Sequence, residues 1–396
     1  APGVQGTIPR ILEMLLSSRK KTRKLAEAET DEFRKALLDA QQLAYKLTAN
    51  SLYGQLGSAT FKIRRQVLAA STTGYGRKQL MFAKNVIERL YGGGRDPRCD
   101  VECVYGDTDS IFLRFRPRNP ETGDPLRGAE ALRVAKELTI ESGKLVSSCL
   151  KPPHDFEFDK IFRSFILLSK KRYVGDMSED GLEPGDFHRK SMGIVMKRRD
   201  NAPIVKYVYG GVIDKILSTT DVRTGVREAA AFATGAARDL LAGKFGLNKL
   251  TITKSLRAEY ADPTRIAHKV LADRIGQRDP GNKPSTSDRI PFVYINTGPG
   301  PAPKLQGDRI ETPDYIRENT LKPDYAFYIT NQIAKPVSQV FGLAVEHFCR
   351  PAEVAATKKA RDPVAARESL AEETLFKTVL LGATGQKNIM SMLFQK

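Results

Sequence analysis

Two carboxylates two residues apart, on a segment built to turn, are the feature of this sequence best suited to chemistry. Tyr105-Gly106-Asp107-Thr108-Asp109-Ser110 sets Asp107 and Asp109 on either side of a small hydroxyl residue. Val101 and Val104 precede it and Ile111, Phe112 and Leu113 follow. These β-forming residues predict a hairpin with both acids at its tip. Paired carboxylates on a rigid tip suit Mg²⁺, a hard cation that takes a few carboxylate oxygens and fills its shell with substrate phosphates. An exposed Asp-rich turn would use the same residue types, because Asp and Gly are ordinary turn formers. The hexapeptide alone leaves both readings open.

Spaced cations form a second group. Lys46, Asn50 and Tyr53 stand at i, i+4 and i+7, one face of a helix. Arg19 and Arg23 are i, i+4 on the segment before them, and the guanidinium fork suits bidentate phosphate binding. A solvated basic helix face is the alternative. Lys170-Lys171-Arg172-Tyr173 reads as alternating across a strand, with Lys171 and Tyr173 on one face and Lys170 and Arg172 on the other. A charged edge strand that resists aggregation would look similar. Glu157 and Asp159 lie just before it, two apart on a β-type run.

The surrounding pattern predicts the elements that must position these groups. Ile8 to Ala49 reads as two helices: Ile11, Leu12, Leu15 and Leu16 form an apolar stripe on the first, and Phe33, Leu37, Ala40, Ala44 and Leu47 one on the second. Thr30 is the expected N-cap of the second helix, with Asp31 and Glu32 in its first turn, where the helix dipole favours acids. Gly54 to Gly57 is expected to break the run. A third helix follows over about Ala70 to Tyr91, closed by Gly92-Gly93-Gly94. The acid hairpin is next, then a helix near Gly128 to Leu150 and β-type runs over Phe156 to Leu168 and Arg172 to Gly175. Beyond Asp200 the pattern becomes mainly helical, over Val205 to Leu217, Val226 to Leu241 and Tyr325 to Phe341. Asp279 to Pro303, rich in Gly, Pro and Ser, reads as an irregular loop. Hairpin, helices and returning strands make an α+β fold.

Composition narrows the partner. The 64 Lys and Arg against 46 Asp and Glu leave a formal charge of +18, which points to a polyanion, nucleic acid before a membrane surface. No apolar run is long enough to cross a bilayer, and the first residues lack a signal peptide's hydrophobic core. Cys99, Cys103, Cys149 and Cys349 are too scattered for a disulfide framework, and Cys99/Cys103 has no second pair near enough for a zinc site. Reduced thiols are expected.

Taken in order, Lys46-x-x-x-Asn50-Ser51-x-Tyr53-Gly54, Tyr105 to Ser110 and Lys170 to Tyr173 resemble B-family DNA-directed DNA polymerases, and among them the delta branch and its relatives in large DNA viruses. The likeness runs from about Ile8 to about Gly342. It takes in Arg198-Arg199-Asp200-Asn201, Ile252-Thr253-Lys254 and Arg278-Asp279-Pro280-Gly281. It implies a right-hand architecture: helical fingers over residues 1–50, an α+β palm over 51–200, a mainly helical thumb over 201–350 and a C-terminal tail over 351–396. The N-terminal and exonuclease domains would be lacking.

The implied activity is template-directed transfer of a nucleotide from a dNTP to a primer 3′-hydroxyl with two Mg²⁺ ions. Asp109 would be the direct metal ligand, with Asp107 beside it. Lys46, Arg19 and Arg23 would bind the triphosphate. Asn50 and Tyr53 would pack at the nascent base pair, where Gly54 permits close backbone approach. Lys170, Lys171, Arg172 and Tyr173 would follow the primer–template minor groove. Relatives place Arg and then Lys at the positions of Arg19 and Arg23, so Arg23 keeps the charge and changes its geometry.

The family's other principal carboxylate belongs to Asp-x-x-Ser-Leu-Tyr-Pro, which does not occur in these 396 residues. Thr7-Ile8-Pro9-Arg10-Ile11-Leu12 resembles the segment that follows that motif, so a chain beginning just downstream of half its metal site is expected. A non-catalytic DNA-binding remnant of a polymerase is the alternative. The delta enzyme's C-terminal cysteine modules have no counterpart, which tilts the source toward a virus and the location toward the nucleus or a viral replication site. Gln386-x-x-Ile389-x-x-Met392-Leu393-Phe394 loosely resembles a sliding-clamp-binding peptide; an ordinary amphipathic tail reads the same way.

Overall fold

The structure is a computed structural model that describes residues 5–197, 200–298 and 303–383. The chain divides into two compact units, Ala1–Phe158 and Asp159–Lys396.

The first unit opens with a helix pair, α1 (Thr7–Ala28) and α2 (Glu32–Gly57), turned back on itself by three residues. Asp31, not Thr30, caps α2: its Oδ1 accepts from the Arg34 amide at 2.8 Å, and a carboxylate there also gains from the helix dipole. α2 runs on through Gly54 to Gly57 rather than breaking there. The covered face of α2 is not its apolar stripe. Leu38, Gln42, Tyr45 and Ala49 are the more covered positions, while Phe33, Leu37 and Leu47 are exposed, Phe33 at 79%.

α3 (Gln66–Tyr91) starts four residues before the expected position. The hairpin β1 (Cys99–Asp107) and β2 (Ser110–Pro117) follows, then α4 (Gly128–Cys149). Ala83, Ile87 and Tyr91 of α3, Cys99 and Val101 of β1, and Leu138 and Val146 of α4 form the core of this unit, with Ile111, Leu113 and Phe115 packed against it.

The second unit begins with an antiparallel sheet of β3 (Ile161–Ser169), β4 (Arg172–Ser178) and β5 (His188–Met192), in that order. Strand β3 starts at Ile161, so the expected β-run from Phe156 is irregular over its first five residues, and Glu157 and Asp159 are exposed on it. Helices α5 (Pro203–Ser218) and α6 (Val222–Leu241) bury Val205, Val208, Val212, Ala229, Ala233 and Ala237 in one large core.

After α7 (Leu247–Leu250), the chain is less purely helical than its pattern suggests. β6 (Ile252–Ser255) pairs with β7 (Arg289–Tyr294), and β7 with β8 (Ile310–Glu311), while α8 (Ala267–Arg278) lies between β6 and β7 in sequence. β7 falls inside the expected loop over Asp279 to Pro303. Its Ile290, Phe292, Val293 and Tyr294 are buried, and a short apolar run bounded by Pro and Gly is how a covered strand reads. α9 (Pro313–Glu318) follows. Then α10 (Tyr325–Phe327) passes through a π-helical turn over Tyr328–Ile333 into α11 (Ala334–Phe341). α12 (Pro351–Lys358), α13 (Pro363–Glu372) and α14 (Thr378–Ala383) complete the unit, with Val354, Ala371, Leu375 and Phe376 buried in the same core. Among the described residues no helix is long and apolar enough to cross a membrane.

Candidate functional site

The sequence places two acids at a turn, and the backbone there is distorted. β1 ends at Asp107 and β2 starts at Ser110, these two being paired, so Thr108 and Asp109 form the whole connection. The Asp109 amide donates to the Asp107 carbonyl at 2.7 Å and Thr108 sits at φ +56, a γ-turn centred on a β-branched residue. Left-handed conformation is costly for such a side chain, and strain of this kind is found where a turn must aim functional groups. Two hydroxyls brace it: Thr108 Oγ1 donates to Asp107 Oδ1 at 3.1 Å and Ser110 Oγ to the Asp107 carbonyl at 3.2 Å. The Asp109 side chain is exposed and Asp107 half-buried.

The base of the hairpin is fastened by ion pairs. Arg116 reaches Asp100 at 2.7 Å and Glu102 at 2.6 Å across the two strands, and Arg114 meets Glu102 at 2.7 Å. Arg98 bridges Asp96 at 2.8 Å and Glu141 of α4 at 2.9 Å, and its guanidinium holds both carboxyls below their usual range. Tyr91 donates to Glu141 at 2.8 Å; burial first, and that carboxylate second, push its phenol up to about 12.

α3 contacts the acid-bearing strand along its length. Leu80, Lys84 and Glu88 are one turn apart on α3. A Cβ on Gly106 would lie 3.3 Å from Leu80 Cδ2, and Glu88 Oε1 accepts the Cys103 amide at 2.9 Å. Lys84 pairs with the other Glu88 oxygen at 2.9 Å. Burial would raise the Glu88 carboxyl, but the Cys103 amide and Lys84 outweigh it and hold it below its usual value. Glu88 has no distinguishing mark in the sequence beyond an i, i+4 lysine, and the sequence reading does not single it out.

Lys46, Asn50 and Tyr53 are all exposed on one side of α2, and the space where Gly54 lacks a Cβ is open. Arg19 Nε donates to Gln42 Oε1 at 3.2 Å, and Gln42 is one turn before Lys46, so the helix pair brings Arg19 and Lys46 onto neighbouring turns. Arg23 is exposed and shares its charge with Glu27 at 3.7 Å, a surface pair of little energetic weight.

The four residues from Lys170 do not alternate along a strand. Lys170 and Lys171 are the two-residue turn between β3 and β4, with Lys171 at φ +59, and only Arg172 and Tyr173 belong to β4. Both lysines are exposed. Arg172 instead donates through Nη2 to Gln339 Oε1 of α11 at 2.7 Å, and Tyr173 is buried against Phe162 and Phe165. Gly193 secures the turn: it sits at φ +61, and a Cβ there would fall 2.2 Å from the Lys171 carbonyl oxygen. Below the turn, buried Asp176 receives Arg189 Nε at 2.5 Å and Arg163 Nη2 at 3.4 Å; burial raises its carboxyl, and the two arginines outweigh that and hold it below its usual value. Asp200 and Lys254, from two separate motifs, meet at 3.3 Å. Arg198 and Arg199 and the tail motif from Gln386 to Phe394 lie outside the described residues.

Asp107 and Asp109 offer hard carboxylate oxygens that fit a hard divalent cation. Among the described residues no group of three or more His, Cys, Asp and Glu side chains converges to hold a metal ion. The pair therefore fits as part of a coordination shell.

Comparison with known proteins gives the family and the fold. Residues 3–343 match the family model described as DNA polymerase family B. The DNA polymerase of Pyramimonas orientalis virus is 43% identical, over 86% of this chain and 30% of its own. The DNA polymerase delta catalytic subunit of Schizosaccharomyces pombe is 35% identical, over 85% of this chain and 29% of its own. The chain thus spans less than a third of the length of these relatives. A family B DNA polymerase from the archaeon Pyrobaculum calidifontis shares the fold, with a TM-score of 0.61 over 86% of this chain and 38% of that one, at 24% identity. This chain belongs to DNA polymerase family B.

Proposed function

We propose that this chain supplies the nucleotide- and DNA-handling surfaces of a template-directed DNA polymerase, transferring a nucleotide from a dNTP to a primer 3′-hydroxyl. The observation that carries the proposal is the strained turn that presents Asp107 and Asp109 at the end of a braced hairpin, in a family B chain. Its relatives are described as a DNA polymerase and a polymerase delta catalytic subunit.

Family B polymerases are metal-dependent, and Mg²⁺ is the ion we assign. When bound, such ions activate the attacking hydroxyl and neutralise the leaving diphosphate. Asp109 is the principal ligand this chain contributes, and Asp107, oriented by Thr108, is the auxiliary one. Lys46 and Arg19, on neighbouring turns, meet the triphosphate, with Arg23 at its edge. Asn50 and Tyr53 test base-pair shape, and Gly54 leaves room for the pair. Lys170 and Lys171 contact the primer–template backbone directly. Arg172 and Tyr173 act from beneath them, holding the turn. Residues 1–50 serve as fingers, 51–200 as palm and 201–350 as thumb. The site of action is the nucleus or a viral replication site. A sliding clamp engaging the tail from Gln386 rests on sequence resemblance alone.

Fluorescence anisotropy with a labelled primer–template tests the DNA-handling half. Contacts to phosphates release condensed counterions, so affinity is expected to fall on the order of a thousandfold between roughly 50 and 200 mM salt. Affinity independent of salt would contradict the proposal.

A further inference from the structure

Strand β1 carries one residue too many. Cys103 faces Leu113 and Tyr105 faces Phe112, so Val104 has no partner of its own and forms a β-bulge. The consequence is a change of phase. Before the bulge, Cys99 and Val101 point to the α3 side and are buried in the core. After it, Gly106 takes that side, opposite Ile111 and against Leu80. Tyr105 and Asp107 therefore point away from α3, and Tyr105 meets Phe112 there at 5.3 Å between ring centroids. Uninterrupted alternation would have put Asp107 on the same side as Cys99, Val101 and Cys103, facing the core.

A bulge disrupts the ladder at its own position, and the amide beside it needs another acceptor. The Cys103 amide finds it in Glu88, reaching from α3 at 2.9 Å, while Lys84 holds the other carboxylate oxygen at 2.9 Å. The contact joins residues fifteen apart in sequence. Gly106 is the other close approach: a Cβ there would lie 3.3 Å from Leu80 Cδ2, so a larger residue would push that side chain aside by a few tenths of an ångström.

We infer that Glu88 is a positioning residue for the metal-binding turn: by accepting the Cys103 amide it maintains the bulge that presents Asp107, with Asp109, on the open side of the hairpin. This rests on the reading of that turn as a metal site. Glu88 touches neither metal nor substrate; it acts through the register of β1.

The test is Mn²⁺ titration of the ¹⁵N-labelled chain, reading paramagnetic broadening of the Thr108 and Asp109 amides and hydrogen exchange of the Cys103 amide. Glu88→Leu removes the acceptor at similar size. It should raise the Mn²⁺ concentration that broadens the turn about tenfold, as loss of an outer supporting partner does, and speed exchange at Cys103. Glu88→Gln keeps an acceptor oxygen and should restore most of the affinity and the protection. Glu88→Asp, the milder change if the leucine variant fails to fold, keeps the charge beside Lys84, falls short of the amide, and should behave like Glu88→Leu. Mn²⁺ response in both acceptor-deficient variants equal to wild type would overturn the inference. Absence of broadening at the turn in the wild-type chain would remove the metal reading itself, and the positioning role with it.

Discussion

At the scale of single residues, the acids and cations of the candidate site differ in what they should do when removed. In a polymerase joining this chain to a segment that carries Asp-x-x-Ser-Leu-Tyr-Pro, Lys46→Ala should chiefly weaken use of the incoming nucleotide. A charge-assisted contact of that kind is worth roughly 1.5–3 kcal/mol, so catalytic efficiency should drop by about one to two decades. Asp107→Ala should be milder than Asp109→Ala, because Asp107 is half-buried and occupied by the Thr108 hydroxyl while Asp109 is exposed. Titration of incorporation rate against dNTP for each variant checks both; a silent Lys46→Ala, or a more damaging Asp107→Ala, would contradict these assignments. The hairpin turn at Asp107 and Asp109 and the helix face shared by Lys46, Asn50 and Tyr53 are legible because each depends only on local spacing. Glu88 is not, since its partner is a backbone amide, and a backbone amide carries no sequence label.

Elements were legible where one strong period set them and obscure where tertiary contact overrode it. α4, α5 and α6 fall within a few residues of their expected ranges. The apolar stripe of α2 reads correctly as helical yet lies on the exposed side, because a period reports a helix and not which face a neighbour will cover. The turn at Lys170 and Lys171 reads as strand for a related reason: two lysines give no turn signal, and the room for the Lys171 carbonyl comes from distant Gly193, where a Cβ would fall 2.2 Å from it. The sheet beneath that turn depends on a buried charge network, which makes its strength pH-dependent. Asp176 lies below its usual pKa, through burial overcome by Arg189 and Arg163. A depressed carboxyl contributes stability fully above its unfolded value, about 3.9, and loses it as pH falls through the lower folded value. Asp176→Asn removes the buried anion that Arg189 and Arg163 share, leaving Arg189 with Asp214 at 2.6 Å, and should cost about 3 kcal/mol at neutral pH. Urea denaturation should show that gap at about pH 7 and a narrower one near pH 3; no gap at neutral pH, or one that widens in acid, would contradict it.

For the whole molecule, charge and family were the readable properties. A formal charge of +18 over 396 residues names a polyanion without naming which, and the ordered motifs supply the rest. Division of the chain after Phe158 was not readable, since Glu157 and Asp159 look like one β-run across that boundary and are irregular in the structure. The central claim is that the turn holding Asp109 is where nucleotidyl transfer is catalysed. Its most direct test is the rate of single-nucleotide incorporation at saturating Mg²⁺ and dNTP, with primer–template affinity measured in parallel, for the joined polymerase and its Asp109→Ala variant. The account predicts incorporation reduced by at least about a thousandfold, on the order of 4 kcal/mol of lost transition-state stabilisation, with DNA affinity changed by less than about twofold. Incorporation within about tenfold of the unsubstituted enzyme would contradict it.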